Sequence, residues 1–399
     1  MQTPLKVILR SGKDDAVRRY HPWIFSGAIK KAIGAAYDGA FTEVFSNQDE
    51  YLGCGIYQDA SIAVRVLSFA PERPVSFDQE FWYSKIRKAY ELRQLTGLTN
   101  DPETNVYRLV HGEGDHLPGL IIDHYNGNLV IQVHATGLYG YIDNISEALQ
   151  KVYGNSVISI YDKSRETLPD FFWADKSPKE FMYGHTSQVD VKEHGFRFMI
   201  DIVGGQKTGF FIDQRENRKL LMHYCQGKRL LNTFCYTGGF SVYGLGGDAS
   251  EVHSLDSSAR AMELTDKNIE LNFGPEAKHT SITDDTIRYL KNTDEAYDVI
   301  VLDPPAFAKH VHVKHNAVQG YKRLNQTAIE KIQPGGILFT FSCSQVIDLN
   351  LFKATVMSAA ILAGRKARIL HQLTQSPDHP VNLFHPEGQY LKGLVLVID

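Results

Sequence analysis

Four cysteines in 399 residues are few, and the arrangements they fail to make exclude a good deal. Cys54, Cys225, Cys235 and Cys343 form no C-x-x-C pair and show no spacing with histidine of the zinc-ligand kind. A disulfide scaffold and a zinc finger are therefore set aside, no metal is expected, and a reducing, cytoplasmic setting fits. Long uncharged apolar runs are missing too, which argues against a membrane span. The opening MQTPLKVILR, interrupted by Pro4 and Lys6, does not read as a signal peptide. Nor is there an excess of positive charge. The formal net charge is −4, so any surface for a polyanion has to be local.

What is present is the composition of an ordinary folded protein, 43% hydrophobic and 22% charged, in a chain long enough for two or three domains. One local imbalance stands out. Through residue 31, seven basic residues (Lys6, Arg10, Lys13, Arg18, Arg19, Lys30, Lys31) face only Asp14 and Asp15, a pattern that suits either a solvated face or a nucleic-acid surface.

Three regions follow from the pattern. Residues 1–72 hold short strand-like runs, LKVIL, HPWIFSGAI, FTEVF, YLGCGIYQ and IAVRVLS, separated by turn residues, which predicts a small β-barrel. APERPVSFD, with two prolines, reads as a linker. Residues 73–185 begin with the helical pattern FWYSKIRKAYELRQL. The strands YRLVHGE, LPGLIIDHY and NLVIQVHA, a helix across YGYIDNISEALQKVYG, and the strand SVISIYDKS follow, giving an α+β middle domain. Residues 186–399 open with a hairpin-like pair, HGFRFMIDI and QKTGFFIDQR. Strands and helices then alternate through KRLLNTF, EVHSLD, HTSIT, YDVIVLD and GGILFTFS. That alternation predicts a doubly wound, mostly parallel α/β sheet, whose ligands sit beyond the carboxyl ends of the strands.

The residues at those ends carry chemistry. The first strand empties into CYTGGFS, where Gly238 and Gly239 permit the tight turn and close backbone approach that a nucleoside requires; the motif is not the G-x-G-x-x-G of a nicotinamide enzyme. Eighteen residues after Gly238, Asp256 ends the second strand, the place for a carboxylate that holds ribose hydroxyls. The third strand ends at Asp284, placed to accept from an adenine amino group, and Asp285, better read as a helix cap. The fourth ends in Asp303-Pro304-Pro305, whose prolines stop the strand and fix the loop, and the fifth ends at Cys343. Neighbouring strands lie about 4.8 Å apart, so Asp303 and Cys343 are expected to face one small volume.

The stretches LNTFCYTGGF, VIVLDPPAF, ILFTFSCS and DHPVNLFHPEGQYLKG resemble a family of class I S-adenosylmethionine-dependent RNA methyltransferases, the 23S ribosomal RNA cytosine-5 methyltransferases of the large-subunit methyltransferase I type. The resemblance runs through almost the whole chain. RRYHPWIFSGAI is similar to the family's amino-terminal PUA domain, GEGDHLPGLIIDHY to its middle domain and QKTGFFIDQR to its pre-catalytic hairpin. It implies a Rossmann-like catalytic domain, with S-adenosyl-L-methionine as cofactor. Thr237, Gly238, Gly239 and Phe240 would shape the cofactor loop, Asp256 would bind ribose and Asp284 would meet adenine. Gln214 and Arg215 would support the cofactor, and Asp303 and Cys343 would face the target base. The implied partner is 23S ribosomal RNA or a large-subunit assembly intermediate; a homodimer is compatible with the sequence, which does not decide it. Asn232 stands where many methyltransferases carry an acid, and Tyr236 where many carry Gly. Ala306 stands where many RNA cytosine-5 enzymes have a second cysteine.

The chemistry explains the residue type at position 343. Carbon 5 of cytosine is a poor nucleophile until a thiolate adds to carbon 6, and an acid at the base edge stabilises the charge that then develops. For Cys54, Cys225 and Cys235 the expectation is simple packing. His310, His312 and His315 are read as part of a loop, with Lys309 and Lys314 as phosphate contacts. The alternatives are a uracil-5 methyltransferase, which usually shows Arg after DPP and S-C-N-P at the cysteine, an adenine-N6 methyltransferase, which would have no use for Cys343, and a non-catalytic RNA-binding protein that retains a cofactor domain.

Overall fold

LKVIL and IKKAI show how patterning sets the first sheet. In Leu5–Leu9 every second residue is buried, whereas Ile29–Ile33, at the sheet's margin, is largely exposed. In the computed structural model, which describes residues 3–308 and 313–399, these strands join Trp23–Phe25, Phe41–Phe45, Tyr51–Tyr57 and Ile62–Phe69 in a six-stranded sheet. Leu5–Leu9 runs parallel to Phe41–Phe45, and the other pairings are antiparallel. The next sheet has the order Phe181–Tyr183, Ser159–Asp162, Asn128–Val133, Leu120–Tyr125, Val106–His111. Helix Gln79–Leu95 starts at Asp78, whose side chain accepts from Phe81 N, and buries Trp82 and Ile86. These two side chains share one apolar cluster with Cys54, Ile56 and Leu67 of the first sheet and Leu120, Ile131 and Ile160 of the second.

By contact the chain forms two compact units. The first is Met1–Val191 with Ile200–Phe210 and Pro377–Gly388; the second is Lys192–Met199 with Phe211–Ser376 and Gln389–Asp399. The first and middle regions of the sequence thus fall into one unit with a common core, and the segments 200–210 and 377–388 join them.

The second unit is built on a seven-stranded sheet in the order His279–Thr283, Glu251–Asp256, Arg229–Thr233, Tyr297–Leu302, Ile332–Ser342, Lys392–Ile398, Ala367–Leu373. Its first five strands are mutually parallel, and the last two run antiparallel at one edge. Val299, Ile300, Val301 and Leu302 are all fully buried, as a parallel strand covered on both faces requires. The predicted strand order therefore places Asp256, Asp303 and Cys343 at carboxyl ends. Two details differ from expectation. QKTGFFIDQR is not a strand: Ile212–Gln214 is a helical turn leading into helix Arg215–Met222, and the hairpin partner of Phe196–Asp201 is Gln188–Glu193. Lys314 is not in a loop but opens helix Lys314–Lys331, which also holds His315; Lys309, His310 and His312 lie outside the described residues. Among the described residues no helix is long and apolar enough to cross a membrane.

Candidate active site

Strand Arg229–Thr233 passes through Phe234 and Tyr236, at φ 54° and 48°, into Gly238 at φ 78°, the residue before helix Gly239–Gly246. Only glycine fits there. A Cβ on Gly238 would lie 2.7 Å from Thr265 Cγ2, in a backbone conformation that side chains disfavour. The loop is pinned from outside. Thr265 Oγ1 donates to Tyr236 O at 2.9 Å, and Asn268 Nδ2 donates to Thr237 O at 3.0 Å. Asp256 closes the turn, its carboxylate accepting from Tyr236 N at 3.1 Å and from Ser258 N at 3.0 Å. Phe240 has its ring in the core, 5.7 Å from that of Phe341, so it supports the loop from beneath.

Asp284 N donates to Asp256 O at 3.1 Å, which ties the second and third strand ends together. The Asp284 carboxylate is held by the Arg288 guanidinium, whose Nε donates at 2.6 Å, and by Asp285 N. The Arg288 hydrogen bond holds the Asp284 carboxyl below the usual carboxylate range. Asp285 caps helix Thr286–Asn292 by accepting from Arg288 N at 2.9 Å. The glycine turn and the two successive carboxylates form the donor and acceptor set that a nucleoside's ribose and base require, so the chain's own residues fit S-adenosylmethionine.

On the other side of the loop the environment changes. Leu302 pairs with Thr340 in the sheet, so Asp303 and Cys343 emerge side by side from adjacent strands, and Cys343 Sγ lies 3.9 Å from Pro304 O. Burial, and secondarily the Asp213 charge, raises the Asp303 carboxyl to about 7, against an opposing hydrogen bond from Gln214. Burial and the Asp303 and Asp213 charges push the Cys343 thiol up to about 12, and Lys392 acts in the opposite direction. Lys392, opposite Ser342 in the sheet, is itself buried and donates to Ser344 O at 2.7 Å and Tyr390 O at 2.6 Å. Burial brings its ammonium down to about 8. Asp213 accepts from Tyr390 O–H at 2.6 Å through Oδ2, while its buried Oδ1 has no hydrogen-bond partner. Ser344 Oγ receives Ala308 N at 3.3 Å and meets Tyr321 O–H at 3.0 Å, fastening the loop after DPP.

Gln214 and Arg215 are both buried. Gln214 Oε1 accepts from Asn217 Nδ2 at 2.6 Å, and Arg215 Nε lies 3.3 Å from Glu216 Oε1. Beneath Gly239, where a Cβ would lie 3.1 Å from Arg218 Cδ, the guanidinium of Arg218 pairs with buried Glu193 at 2.8 and 2.7 Å and donates to Phe211 O. Asp213, Tyr390, Lys392 and Arg218 are the residues that sequence reasoning missed. The signal available for Lys392 was a lone charge opening the apolar strand LKGLVLVI; Asp213 and Tyr390 lie within the quoted stretches QKTGFFIDQR and DHPVNLFHPEGQYLKG, but nothing local shows that they meet across 177 residues. Cys54, Cys225 and Cys235 are buried, with thiols raised by burial, as packing cysteines should be.

Residues 107–380 match the model of a family described as S-adenosylmethionine-dependent methyltransferase, and residues 7–69 match a PUA-like domain. The chain is 39% identical to a ribosomal RNA large subunit methyltransferase I from Aeromonas hydrophila and 36% identical to one from Escherichia coli, with 98% of each chain covered. Two solved structures share the fold. A SAM-dependent methyltransferase from Streptococcus mutans has a TM-score of 0.82 at 22% identity, and a methyltransferase complexed with SAH has 0.84 at 23%; each covers 98% of this chain and 100% of the other. With the matched family model spanning more than half its length and these relatives spanning nearly all of it, the chain belongs to the S-adenosylmethionine-dependent methyltransferases of the ribosomal RNA large subunit methyltransferase I type.

Proposed function

We propose that this enzyme methylates carbon 5 of a cytosine in 23S ribosomal RNA, free or in a large-subunit assembly intermediate, through a covalent bond to Cys343. The observation that carries the proposal is the pairing of a cysteine with a carboxyl raised to about 7 at the ends of adjacent strands, beside the glycine turn. The relatives' names supply the class of RNA.

In this reading Thr237, Gly238 and Gly239 form the cofactor cradle, Phe240 braces it, Asp256 takes the ribose and Asp284 the adenine, with Gln214 and Arg215 behind them. S-adenosylmethionine, when bound, supplies an electrophilic methyl group. Cys343, as thiolate, forms a bond to carbon 6, and the displaced electron pair moves onto the ring. Asp303, half protonated near pH 7, delivers its proton to the ring nitrogen, so that negative charge does not accumulate there. Carbon 5 is then the nucleophile. After carbon 5 has taken up the methyl group, its own proton passes to water, that electron pair re-forms the carbon 5–carbon 6 double bond as the Cys343 sulfur leaves with the electrons of its bond to carbon 6, and the ring nitrogen returns its proton to Asp303. Lys392 stabilises the thiolate before addition and after release. Residues 1–72 supply RNA affinity, 73–185 form a middle domain and 186–399 carry the chemistry, in a cytoplasmic enzyme.

RNA with 5-fluorocytosine at the target tests the covalent step, because fluorine cannot leave as the proton does. The expected result is a complex that survives a denaturing gel and maps to Cys343. Cys343→Ala should lose it, while Cys235→Ala, whose Sγ is packed 3.6 Å from Met262 Sδ, should keep it. An adduct on another residue, or turnover by the Cys343→Ala protein, would remove Cys343 from the reaction.

A further inference from the structure

His21, His385 and Glu387 take no part in methyl transfer, yet their side chains converge within the first compact unit. Each offers one ligand atom, and these atoms lie within 4.8 Å of one another. The Glu387 carboxylate is the common neighbour, with Oε1 3.8 Å from His21 Nε2 and Oε2 3.8 Å from His385 Nε2. A second observation singles out His385. It is 3% exposed, and neither of its ring nitrogens has a hydrogen-bond partner. Burying an imidazole with both nitrogens unpaired costs free energy that packing alone does not return.

The neighbours suit a ligand set. His21 is held by the strand that follows it: Trp23 N–H donates to His21 Nδ1 at 3.2 Å, and Nδ1 lies 3.4 Å from Trp23 O. The Trp23 ring packs edge-on against His385 with centroids 4.4 Å apart, and its Nε1 donates to Glu113 Oε1 at 2.8 Å. The segment bearing the other two ligands is set by its backbone. His385 N donates to Asn382 O at 2.8 Å, Asn382 Nδ2 donates to Glu113 O at 3.1 Å, and the Pro380 carbonyl lies so close to Gly114 that no side chain fits there.

We propose that His21, His385 and Glu387 form a zinc-class transition-metal site that fastens the 377–388 segment to the strand beginning at Trp23. Tetrahedral zinc with bonds of about 2.0–2.1 Å separates its ligand atoms by about 3.3 Å. The two 3.8 Å gaps, one to each Glu387 oxygen, therefore close by about half an ångström, and the widest separation among the three ligand atoms, up to 4.8 Å, closes by up to about 1.5 Å, which needs movement of a histidine ring as well as of the half-exposed Glu387 side chain. Three protein ligands leave a fourth position for water.

The test uses the full-length protein, treated with chelator and titrated with Co²⁺ and then Zn²⁺. One equivalent of Co²⁺ should give the intense visible bands of a four-coordinate ion, and Zn²⁺ should displace it and raise the melting temperature. His385→Phe, which keeps an aromatic ring against Trp23, and Glu387→Gln should each weaken binding at least about tenfold. Failure to bind one equivalent at about 10 μM free metal would overturn the proposal, as would an affinity in either variant equal to that of the unsubstituted protein.

Discussion

Two strand-end pairs on one sheet have been put to opposite electrostatic use. Asp256 and Asp284 have partners within the chain: backbone N–H groups satisfy the first, and Arg288 neutralises the second and keeps it ionised. Asp303 and Cys343, two strands away, are partly buried, and lost solvation together with the Asp213 charge outweighs Arg218 and Lys392 and drives each toward its protonated form. In the proposed function the first pair holds the neutral ribose and base of the cofactor without changing its own protonation. In the second, ionisation is disfavoured, so Asp303 still carries a proton near neutral pH, which in the proposed reaction passes to the bound base. Binding and chemistry thus differ in solvation more than in residue type.

The comparison breaks most sharply at the chemical end. Cys343→Ala should reduce single-turnover methyl transfer by about 10⁴-fold or more, with the affinity for S-adenosylmethionine unchanged. Asp303→Asn should cost about 10²–10³-fold in the same assay. It should also stabilise the protein, with a pH signature. Between the unfolded value of 3.8 and the native value of about 7, the folded protein keeps a proton that the unfolded chain has released. Stability is therefore greatest, for this group, below pH 3.8 and is lost as pH rises through 7. Urea melts should show the variant gaining on the order of 1–3 kcal/mol at pH 8 and little at pH 4. A variant that loses stability at pH 8 would mean the Asp303 carboxylate is already compensated.

Lys392→Met should act less strongly, through the thiol. Alkylation of Cys343 followed against pH should shift upward by about one unit, with a loss of about tenfold in methyl transfer below pH 8, where Lys392 is mostly charged in the native protein. Lys392→Arg should recover part of it. An unmoved alkylation profile would make Lys392 purely a strand anchor through Ser344 O and Tyr390 O.

The legible part of this site was the part that repeats with the sheet. Each βα unit announces its strand end in sequence, so Gly238, Asp256, Asp303 and Cys343 could be found by counting along one alternating pattern. Asp213 and Lys392 break that logic. Asp213 sits on a helical turn before the first sheet strand, in a run that reads as extended, and Lys392 begins an antiparallel strand, paired on both sides, that no crossover pattern heralds. Both matter through burial and charge across separations such as the 177 residues between Tyr390 and Asp213, and burial is a property of the assembled core. The two-unit division was hidden for the same reason. Trp82 and Ile56 share a core although a proline-rich linker lies between them.

The binding end should respond more mildly, and unequally. Asp256→Ala removes the acceptor of Tyr236 N and Ser258 N along with the ribose contact, so calorimetry should show S-adenosylmethionine affinity down by about 10–100-fold in a folded protein. Asp284→Ala is the smallest effect. Its carboxylate is already occupied by Arg288 and Asp285 N, and an acceptor that must share its lone pairs adds little to a ligand's amino group. The backbone of residue 284, which the substitution keeps, still donates to Asp256 O and holds the turn. A loss of about threefold or less is expected, growing when Arg288→Ala is the background, because the freed carboxylate then has only the adenine to serve. A tenfold loss in the single variant would instead place Asp284 beside Asp256 as a primary contact, with Arg288 displaced when the cofactor binds.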